Sequence, residues 1–189
     1  MDADKPTAKS VLQAGRDALK IESEAIALLA DQMPPDFEPV IRTILATAGR
    51  VIVSGIGKSA HIGNKIAATF ASTGTPSSFV HASEASHGDL GMITKDDTVI
   101  LISNSGETQE LGDVLAHTRR FSIPLVAISS RAQSTLMSAA DYKLLLPAAP
   151  EACPMGLAPT TSTTMALALG DALAVALMEE REFKAENFA

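Results

Sequence analysis

Short apolar runs rich in β-branched residues recur along this chain, and helical stretches separate them. The runs are Arg50–Ser54, Ser77–Val80, Thr98–Ser103, Pro124–Ser129 and Tyr142–Leu146. Continuous apolar strands are typical of parallel sheets that are buried on both faces. Their alternation with helices predicts an α/β fold, a three-layer αβα sandwich around a Rossmann-like parallel sheet of about five strands.

Apolar residues at three- and four-residue spacing predict the helices. These are expected over 9–31, 36–48, 59–72, 107–120, 132–139 and 160–181, with apolar faces that include Val11 in the first and Val175 in the last. We expect one globular unit in which residues 1–48 form N-terminal helices and residues 49–189 form the sheet domain.

Charge and composition narrow the class of protein. The net charge is −7, which argues against nonspecific nucleic-acid binding. The lone cysteine, Cys153, cannot form an intrachain disulfide, which fits a reducing compartment. The first residues have no apolar segment of a secretory signal, and no run of about 18 apolar residues predicts a membrane span. We therefore expect a cytoplasmic protein without a membrane or nucleic-acid partner.

The first strand is followed by a glycine-rich loop. Ligands of open α/β sheets bind outside the carboxyl ends of the strands, and glycines let the backbone approach an anion. A nucleotide P-loop is disfavoured because Ile52 occupies the position that requires glycine. A dinucleotide fingerprint is also disfavoured, since the end of the next strand offers no acid for a ribose. An ordinary tight turn with an exposed lysine remains open. The candidate binding residues here are Ser54, Gly55, Gly57 and Ser59, beside Lys58.

The third strand along the chain is followed by a second loop, with three hydroxyls around a glycine. Hydroxyls and free backbone N–H groups can surround a phosphate. Its candidate phosphate-binding residues are Ser103, Asn104, Ser105 and Thr108. The alternative is an ordinary helix cap with Glu107 in the first turn.

The segment 81–91 is dense in titratable groups. His81 and His87 are weak candidates for metal ligands, together with Glu84 or Asp89. A histidine here could instead be a general acid or base, or the segment could be a polar surface loop. We interpret two further histidines, at positions 61 and 117, as surface or core residues.

The remaining candidate functional residues are two glutamates and a cysteine. Glu110 lies on the same predicted helix face as Glu107 and could serve as a base near a bound anion. Glu151 opens a Pro/Gly-rich loop that runs into a hydroxyl-rich helix start. Cys153 is predicted to be a small buried residue rather than a nucleophile.

Four motifs together resemble a sugar-isomerase (SIS) domain. They are Ser-Gly-Ile-Gly-Lys-Ser, His-Gly-Asp-Leu-Gly-Met, Ser-Asn-Ser-Gly-Glu-Thr and Glu-Ala-Cys-Pro-Met-Gly-Leu-Ala-Pro-Thr-Thr-Ser-Thr-Thr. The second and fourth are similar to those of the arabinose 5-phosphate isomerases within that family. The resemblance runs from about residue 40 to the end and identifies residues 49–189 as the SIS domain.

The resemblance implies an enzyme that interconverts D-ribulose 5-phosphate and D-arabinose 5-phosphate through an enediol, without a cofactor, for Kdo and lipopolysaccharide biosynthesis. It implies a homotetramer with active sites shared between subunits. The family's catalytic lysine, histidine and glutamate fall on Lys58, His87 and Glu110. We assign Glu110 to the carbon-bound proton, His87 to acid–base steps at oxygen and Lys58 to charge neutralisation, although the division among Glu110, His87 and Glu151 stays open.

Two other functions remain open at this stage. One is a different isomerase of the family, acting on a hexulose 6-phosphate or a heptose phosphate. The other is a noncatalytic regulator that binds a sugar phosphate. Family members often carry two CBS domains, and a Ser-His-Pro-Gly-Gly segment after the Phe-Ala with which this chain ends. Since that histidine is proposed to act in catalysis, we expect the chain by itself to have reduced turnover.

Overall fold

The computed structural model describes residues 10–184 and residue 186, and it contains the parallel sheet that the apolar runs predict. Its strands are β1 Val51–Gly55, β2 Ser77–Phe79, β3 Thr98–Ile102, β4 Leu125–Ser129 and β5 Tyr142–Leu145, in the order β2-β1-β3-β4-β5. All neighbouring strands are parallel. Every residue of β1, β3 and β4 is buried, as expected for central strands covered on both faces. The predicted fold class is confirmed.

Seven α-helices cover the two faces of this sheet in the described residues. They are α1 Val11–Asp31, α2 Phe37–Ala46, α3 Lys58–Ser72, α4 Ala82–Ala85, α5 Gly112–Phe121, α6 Thr135–Ala139 and α7 Thr161–Glu180. Alternate strand residues point to opposite faces. Val53 and Ile100 therefore join the core under α1, α2, α3 and α7, whereas Ile52 and Leu101 join the core under α4, α5 and α6.

The predicted helices and strands lie within a few residues of the observed ones, with one change of type. The helix expected over 107–120 is a 3₁₀ turn, Gln109–Leu111, followed by α5. The segment 81–91, interpreted as a loop or a site, contains α4 and a second 3₁₀ turn, Asp89–Met92. Residue 9 of the first predicted helix and residues 187–189 lie outside the described residues.

Helix α1 buries much less of its apolar sequence than its periodicity suggests. Only Ala25 and Leu29 are buried, and Val11 is 93% exposed. Val175, which we placed in the apolar face of the last helix, is also exposed. Residues of α1 and α2 nevertheless belong to the same buried cluster as the sheet. The N-terminal helices thus pack on the α/β layer through a narrow contact.

Helix α7 is, by length and composition alone, apolar enough to cross a membrane. The sequence has no uninterrupted apolar run here because Asp171 lies within the stretch. Half of the apolar stretch is buried within the structure, and α7 packs against α1, α2 and α3. Gly170 permits this packing, since a Cβ there would lie 2.5 Å from Ile66 Cδ1. Within the described residues, α7 serves as the central core helix of its layer.

Candidate functional site

The register of the sheet brings the predicted loops to the same end of the sheet. This end, at the carboxyl ends of the strands, is called the sheet edge below. Gly55 pairs with Ile102, and Ile102 with Ile128, so β1, β3 and β4 end at the same level. The chain leaves β1 toward β2 on one side, whereas β3 lies on the other side. Such a switch in strand order creates a crevice at the carboxyl ends of the strands, where open α/β sheets bind ligands.

The loop after β1 turns tightly into α3. Gly55 is required because a Cβ would approach the backbone carbonyl carbon of Ser59 to 3.1 Å, and Gly57 has a φ of 58°. Helix α3 begins with Lys58 exposed and Ser59 half-buried, and no described side chain caps its N-terminus. Ser54 is fully buried, and its hydroxyl has no partner among the described residues. Its side chain therefore lies beneath the accessible surface of this loop.

The β3 loop, Ser103–Thr108, is tied together by its own hydroxyl groups. Ser103 Oγ accepts from the Gly106 N–H at 3.0 Å and lies 2.8 Å from Thr108 Oγ1. Ser105 Oγ accepts from the N–H of Glu107 at 3.2 Å. Since the hydroxyl oxygens accept these bonds, the hydroxyl proton of Ser105 and one proton of the Ser103–Thr108 pair remain free to donate.

A second set of hydrogen bonds holds the β3 loop to the end of β4. The carbonyl oxygen of Asn104 accepts from the hydroxyl groups of Ser129 and Ser130, at 3.1 and 3.0 Å, and from the Ser130 N–H at 3.2 Å. The Asn104 side chain stays exposed at the sheet edge. The loop therefore presents donors on a firm backbone, as an anion site requires.

The histidine segment follows β2 at the same edge. His81 Nδ1 accepts from the Ser83 N–H at 3.3 Å and so caps α4. His87 is exposed in the turn after α4. No group of three or more histidine, cysteine, aspartate or glutamate side chains in the described residues is arranged to hold a metal ion. The cap at His81 uses one ring nitrogen for structure.

Glu110 lies in the 3₁₀ turn after the β3 loop, rather than one turn inside a helix, and it is exposed. Helix α4, which precedes His87, packs against this turn. The strands that precede Lys58 and Glu110, β1 and β3, are neighbours. The elements that carry these three candidates therefore surround the same part of the sheet edge.

Glu151 has a structural role that its position in the sequence does not indicate. Its Oε2 accepts from the Thr160 N–H at 2.8 Å, from Thr160 Oγ1 at 3.0 Å and from the Ser162 N–H at 3.2 Å. The carboxylate thus caps the N-terminus of α7. Partial burial raises the pKa of Glu151, but the hydrogen bonds from Ser162 and Thr160 outweigh it and lower that pKa below its usual value.

Cys153 is half-buried, so the prediction of a buried thiol is wrong. Backbone N–H groups of the following turn, from Ala158, Leu157 and Met155 in order of effect, lower the pKa of the Cys153 thiol. The turn folds back on itself because Glu151 and Thr160 hold its two ends together. The thiol therefore lies near backbone N–H groups of this turn.

Two cavities join several of these residues. The larger, about 750 Å³, is lined by Asn104, Arg131, Glu151, Cys153 and Ser162, among others. A smaller one, about 40 Å³, connects Ser59 at the start of α3 with Asn104 and Ser162. Arg131 directly follows β4, at a strand end where the sequence predicts ligand chemistry, although it is not among the site residues named above. Lys58, His87 and Glu110 stand on the open surface around the same edge.

A parallel αβα sandwich whose loops present hydrogen-bond donors at the switch point is typical of α/β domains that bind anionic ligands. A family model described as the SIS domain matches residues 44–176. The chain belongs to the SIS domain family, which confirms the resemblance drawn from its motifs.

Individual relatives narrow the comparison. The chain is 54% identical over 177 residues to arabinose 5-phosphate isomerase KdsD of Yersinia pestis and 52% identical to that of Shigella flexneri. Each alignment covers 94% of this chain and 54% of the relative, so the chain spans about half the length of these curated relatives. Among solved structures, c3406 of E. coli CFT073 in complex with arabinose 5-phosphate superposes with a TM-score of 0.91 at 41% identity, covering 94% of this chain and 95% of that one.

Proposed function

We propose that this chain is an aldose–ketose isomerase that interconverts D-arabinose 5-phosphate and D-ribulose 5-phosphate. The observation that carries the proposal is the β3 loop, whose hydroxyl donors lie at the carboxyl end of β3 in a chain about half identical to curated arabinose 5-phosphate isomerases. Lys58 follows the neighbouring strand β1, and Glu110 lies in the 3₁₀ turn against which α4 packs. A similar solved structure holds arabinose 5-phosphate. These findings support a phosphorylated pentose as the substrate.

The β3 loop would bind the phosphate group. Ser105 and the Ser103–Thr108 pair supply hydroxyl donors, and the uncapped start of α3 supplies backbone N–H groups. The chain as a whole carries a net charge of −7, which repels a phosphate dianion at long range. Lys58 and Arg131, both exposed at this edge, supply positive charge locally.

The reaction moves one proton between two carbons. From the open-chain aldose, a base removes the proton on C2 while the oxygen on C1 gains one, which gives a cis-enediol. Return of a proton to C1 and loss of the proton on the C2 oxygen give the ketose. We assign the carbon steps to Glu110 and the oxygen steps to His87, with Lys58 stabilising the charge on the enediolate.

Glu151 is less suited than Glu110 to removing the carbon-bound proton. Its Oε2 is occupied by three donors at the start of α7, and its lowered pKa makes the carboxylate a weaker base. Its Oε1 accepts none of these bonds. We propose that Glu151 orients the start of α7 along the larger cavity and leaves the carbon steps to Glu110.

Other functions of the family are less well supported. A noncatalytic sugar-phosphate regulator would not need Lys58, His87 and Glu110 around one edge. A hexulose 6-phosphate or heptose phosphate isomerase would share the phosphate loop. The identity to pentose phosphate isomerases over 94% of the chain favours the pentose substrate.

We propose a homotetramer in which active sites are completed across subunits. Helix α1 supports this proposal, because Leu12, Leu19 and Ile26 are 64, 71 and 38% exposed at seven-residue spacing. Such spacing keeps side chains on one face of a helix. A second copy of α1 would cover that face. We also propose a cytoplasmic enzyme whose product feeds Kdo for lipopolysaccharide, without a cofactor.

Proton exchange tests the proposed chemistry. When the protein is mixed with ribulose 5-phosphate in heavy water, we expect deuterium to enter C1 of the ketose and C2 of the aldose, because the proton removed from the enediol precursor mixes with solvent. NMR measures both positions and the new arabinose 5-phosphate. Tight binding of the sugar phosphate without exchange or product would overturn the isomerase proposal in favour of the regulator. Faster turnover of a hexulose 6-phosphate than of ribulose 5-phosphate in the same assay would show that the substrate is a hexulose phosphate.

A further inference from the structure

Glu107 occupies the β3 loop, but its side chain leaves the loop and reaches α6. Its Oε1 accepts from the Thr135 N–H at 2.8 Å, and its Oε2 accepts from Thr135 Oγ1 at 2.7 Å. Both oxygens are thus engaged by Thr135. The mechanism above uses neither residue, although they lie 28 positions apart in sequence.

The neighbouring backbone reinforces this link. The carbonyl oxygen of Gly106 accepts from the Leu136 N–H at 3.1 Å. A Cβ on Gly106 would lie 2.0 Å from Ser134 Oγ, so the loop backbone rests directly on the start of α6. The β3 loop is therefore fixed at its base by Asn104 and on its outer side by Glu107.

The same residue also holds a hydroxyl donor. The N–H of Glu107 donates to Ser105 Oγ at 3.2 Å. A shift of the Glu107 backbone would therefore shift the hydroxyl that we assign to the phosphate. The carboxylate anchors one side of this residue to α6 while its N–H orients Ser105 on the other.

We infer that Glu107 is a positioning residue that sets the place of the phosphate-binding hydroxyls by anchoring the β3 loop to Thr135. This inference rests on the proposed function, because it assigns the β3 loop to phosphate. Glu107 touches no reacting atom in this scheme. It acts through Ser105 and through the position of the loop.

The hydrogen bonds to Thr135 also affect how the negative charge of Glu107 acts on a bound phosphate. A carboxylate beside a phosphate dianion would repel it at short range. The hydrogen bonds from the Thr135 hydroxyl and N–H lower the pKa of Glu107, so the group is ionised at neutral pH. Those bonds hold both charged oxygens at the start of α6. Loss of the Thr135 hydroxyl would free one oxygen of a charged group near the dianion.

Four variants test the anchor. Glu107→Gln removes the charge at nearly constant shape, Thr135→Val removes the hydroxyl donor, Thr135→Ser retains it, and the fourth combines Glu107→Gln with Thr135→Val. Asp113→Asn is the matched control, since it removes one exposed negative charge at the start of α5, close to the same loop. Circular dichroism and the thermal midpoint establish that each variant is folded.

Steady-state kinetics with arabinose 5-phosphate should separate binding from chemistry. We expect Glu107→Gln and Thr135→Val each to raise KM about 3- to 10-fold while kcat changes less than about twofold, since phosphate contacts act in both ground and transition states. Thr135→Ser and Asp113→Asn should match the parent. The double variant should bind no worse than Thr135→Val, because both changes act on the same pair of contacts and the free charge is gone.

Several results would overturn the inference. They are an unchanged KM in Glu107→Gln, equal effects of Thr135→Ser and Thr135→Val, or single effects that multiply in the double variant. Inorganic phosphate, titrated by calorimetry into the parent and Glu107→Gln, separates this inference from the isomerase proposal. Weaker phosphate binding in the variant, with no turnover by the parent, would reject the isomerase and retain the anchor. Normal turnover with equal phosphate binding would reject the anchor alone.

Discussion

At the scale of single residues, three glutamates near one sheet edge have different surroundings. The carboxylate of Glu107 is held by Thr135, and that of Glu151 caps α7. Both carboxyl groups have a lowered pKa as a result. Glu110 stands exposed in a 3₁₀ turn beside α4. Hydrogen bonding thus engages two of these carboxylates in structure and supports Glu110 as the group that meets the substrate.

We predict that Glu110→Gln lowers kcat about 10²- to 10⁴-fold, the usual contribution of one positioned acid or base, while the affinity for the sugar phosphate stays within a few-fold. Ser105→Ala should instead raise KM and spare kcat, because a lost phosphate contact weakens ground and transition states alike. Initial rates over a range of substrate concentrations give both constants. A near-normal kcat in Glu110→Gln would show that the base is another group.

At the scale of elements, the β3 loop depends on α6 for its shape. Gly106 has a φ of 66° and lies against Ser134, whose own hydroxyl accepts from the Met137 N–H at 3.3 Å and caps α6. Neither the positive φ nor the close approach tolerates a side chain. The glycine in this loop therefore serves the packing of loop on helix as much as the approach of a ligand.

Gly106→Ala should lower the free energy of unfolding by about 1–3 kcal/mol, because it combines backbone strain with an overpacked contact. It should also raise KM, since the hydroxyl donors move with the loop. Gly112→Ala is the control: its φ is −57°, it opens α5, and a Cβ there meets nothing within 4 Å. That change should be neutral or stabilising by less than about 1 kcal/mol. Denaturant unfolding measures the free energy of unfolding of both variants. Equal values would show that the loop accommodates the added methyl group without a loss of stability.

The sequence predicts the elements better than it predicts their contacts. Apolar runs and helical spacing locate the sheet and most helices, because burial on both faces demands such runs. The helix predicted over 107–120 is wrong at the 3₁₀ turn Gln109–Leu111, since a single turn leaves no periodicity to detect. Periodicity also gives no sign of the hydrogen bonds that Thr135 donates to Glu107 or of the cap that Glu151 places on α7. Those contacts join residues that only the folded loops bring together.

At the scale of the whole molecule, charge and apolar surface are distributed unevenly. The chain carries a net charge of −7, yet Lys58 and Arg131 are both exposed at the carboxyl ends of the strands. Along α1, by contrast, the exposed side chains of Leu12, Leu19 and Ile26 form an apolar stripe that runs most of the length of the helix. A stripe of this kind on a helix packed through few buried residues is typical of a surface covered by another subunit.

Leu19 lies at the middle of that stripe and is 71% exposed, so its replacement should hardly change the stability of one subunit. We predict that Leu19→Asp dissociates the proposed tetramer to smaller species, because a second copy of α1 would bury the carboxylate without a partner. Phe121→Ser is the control, since Phe121 is half exposed on α5 in the opposite helix layer. Light scattering coupled to size exclusion at micromolar concentration measures the mass. If the smaller species also loses kcat while remaining folded, the active site requires a neighbouring subunit; a monomeric parent protein would refute the shared-site proposal.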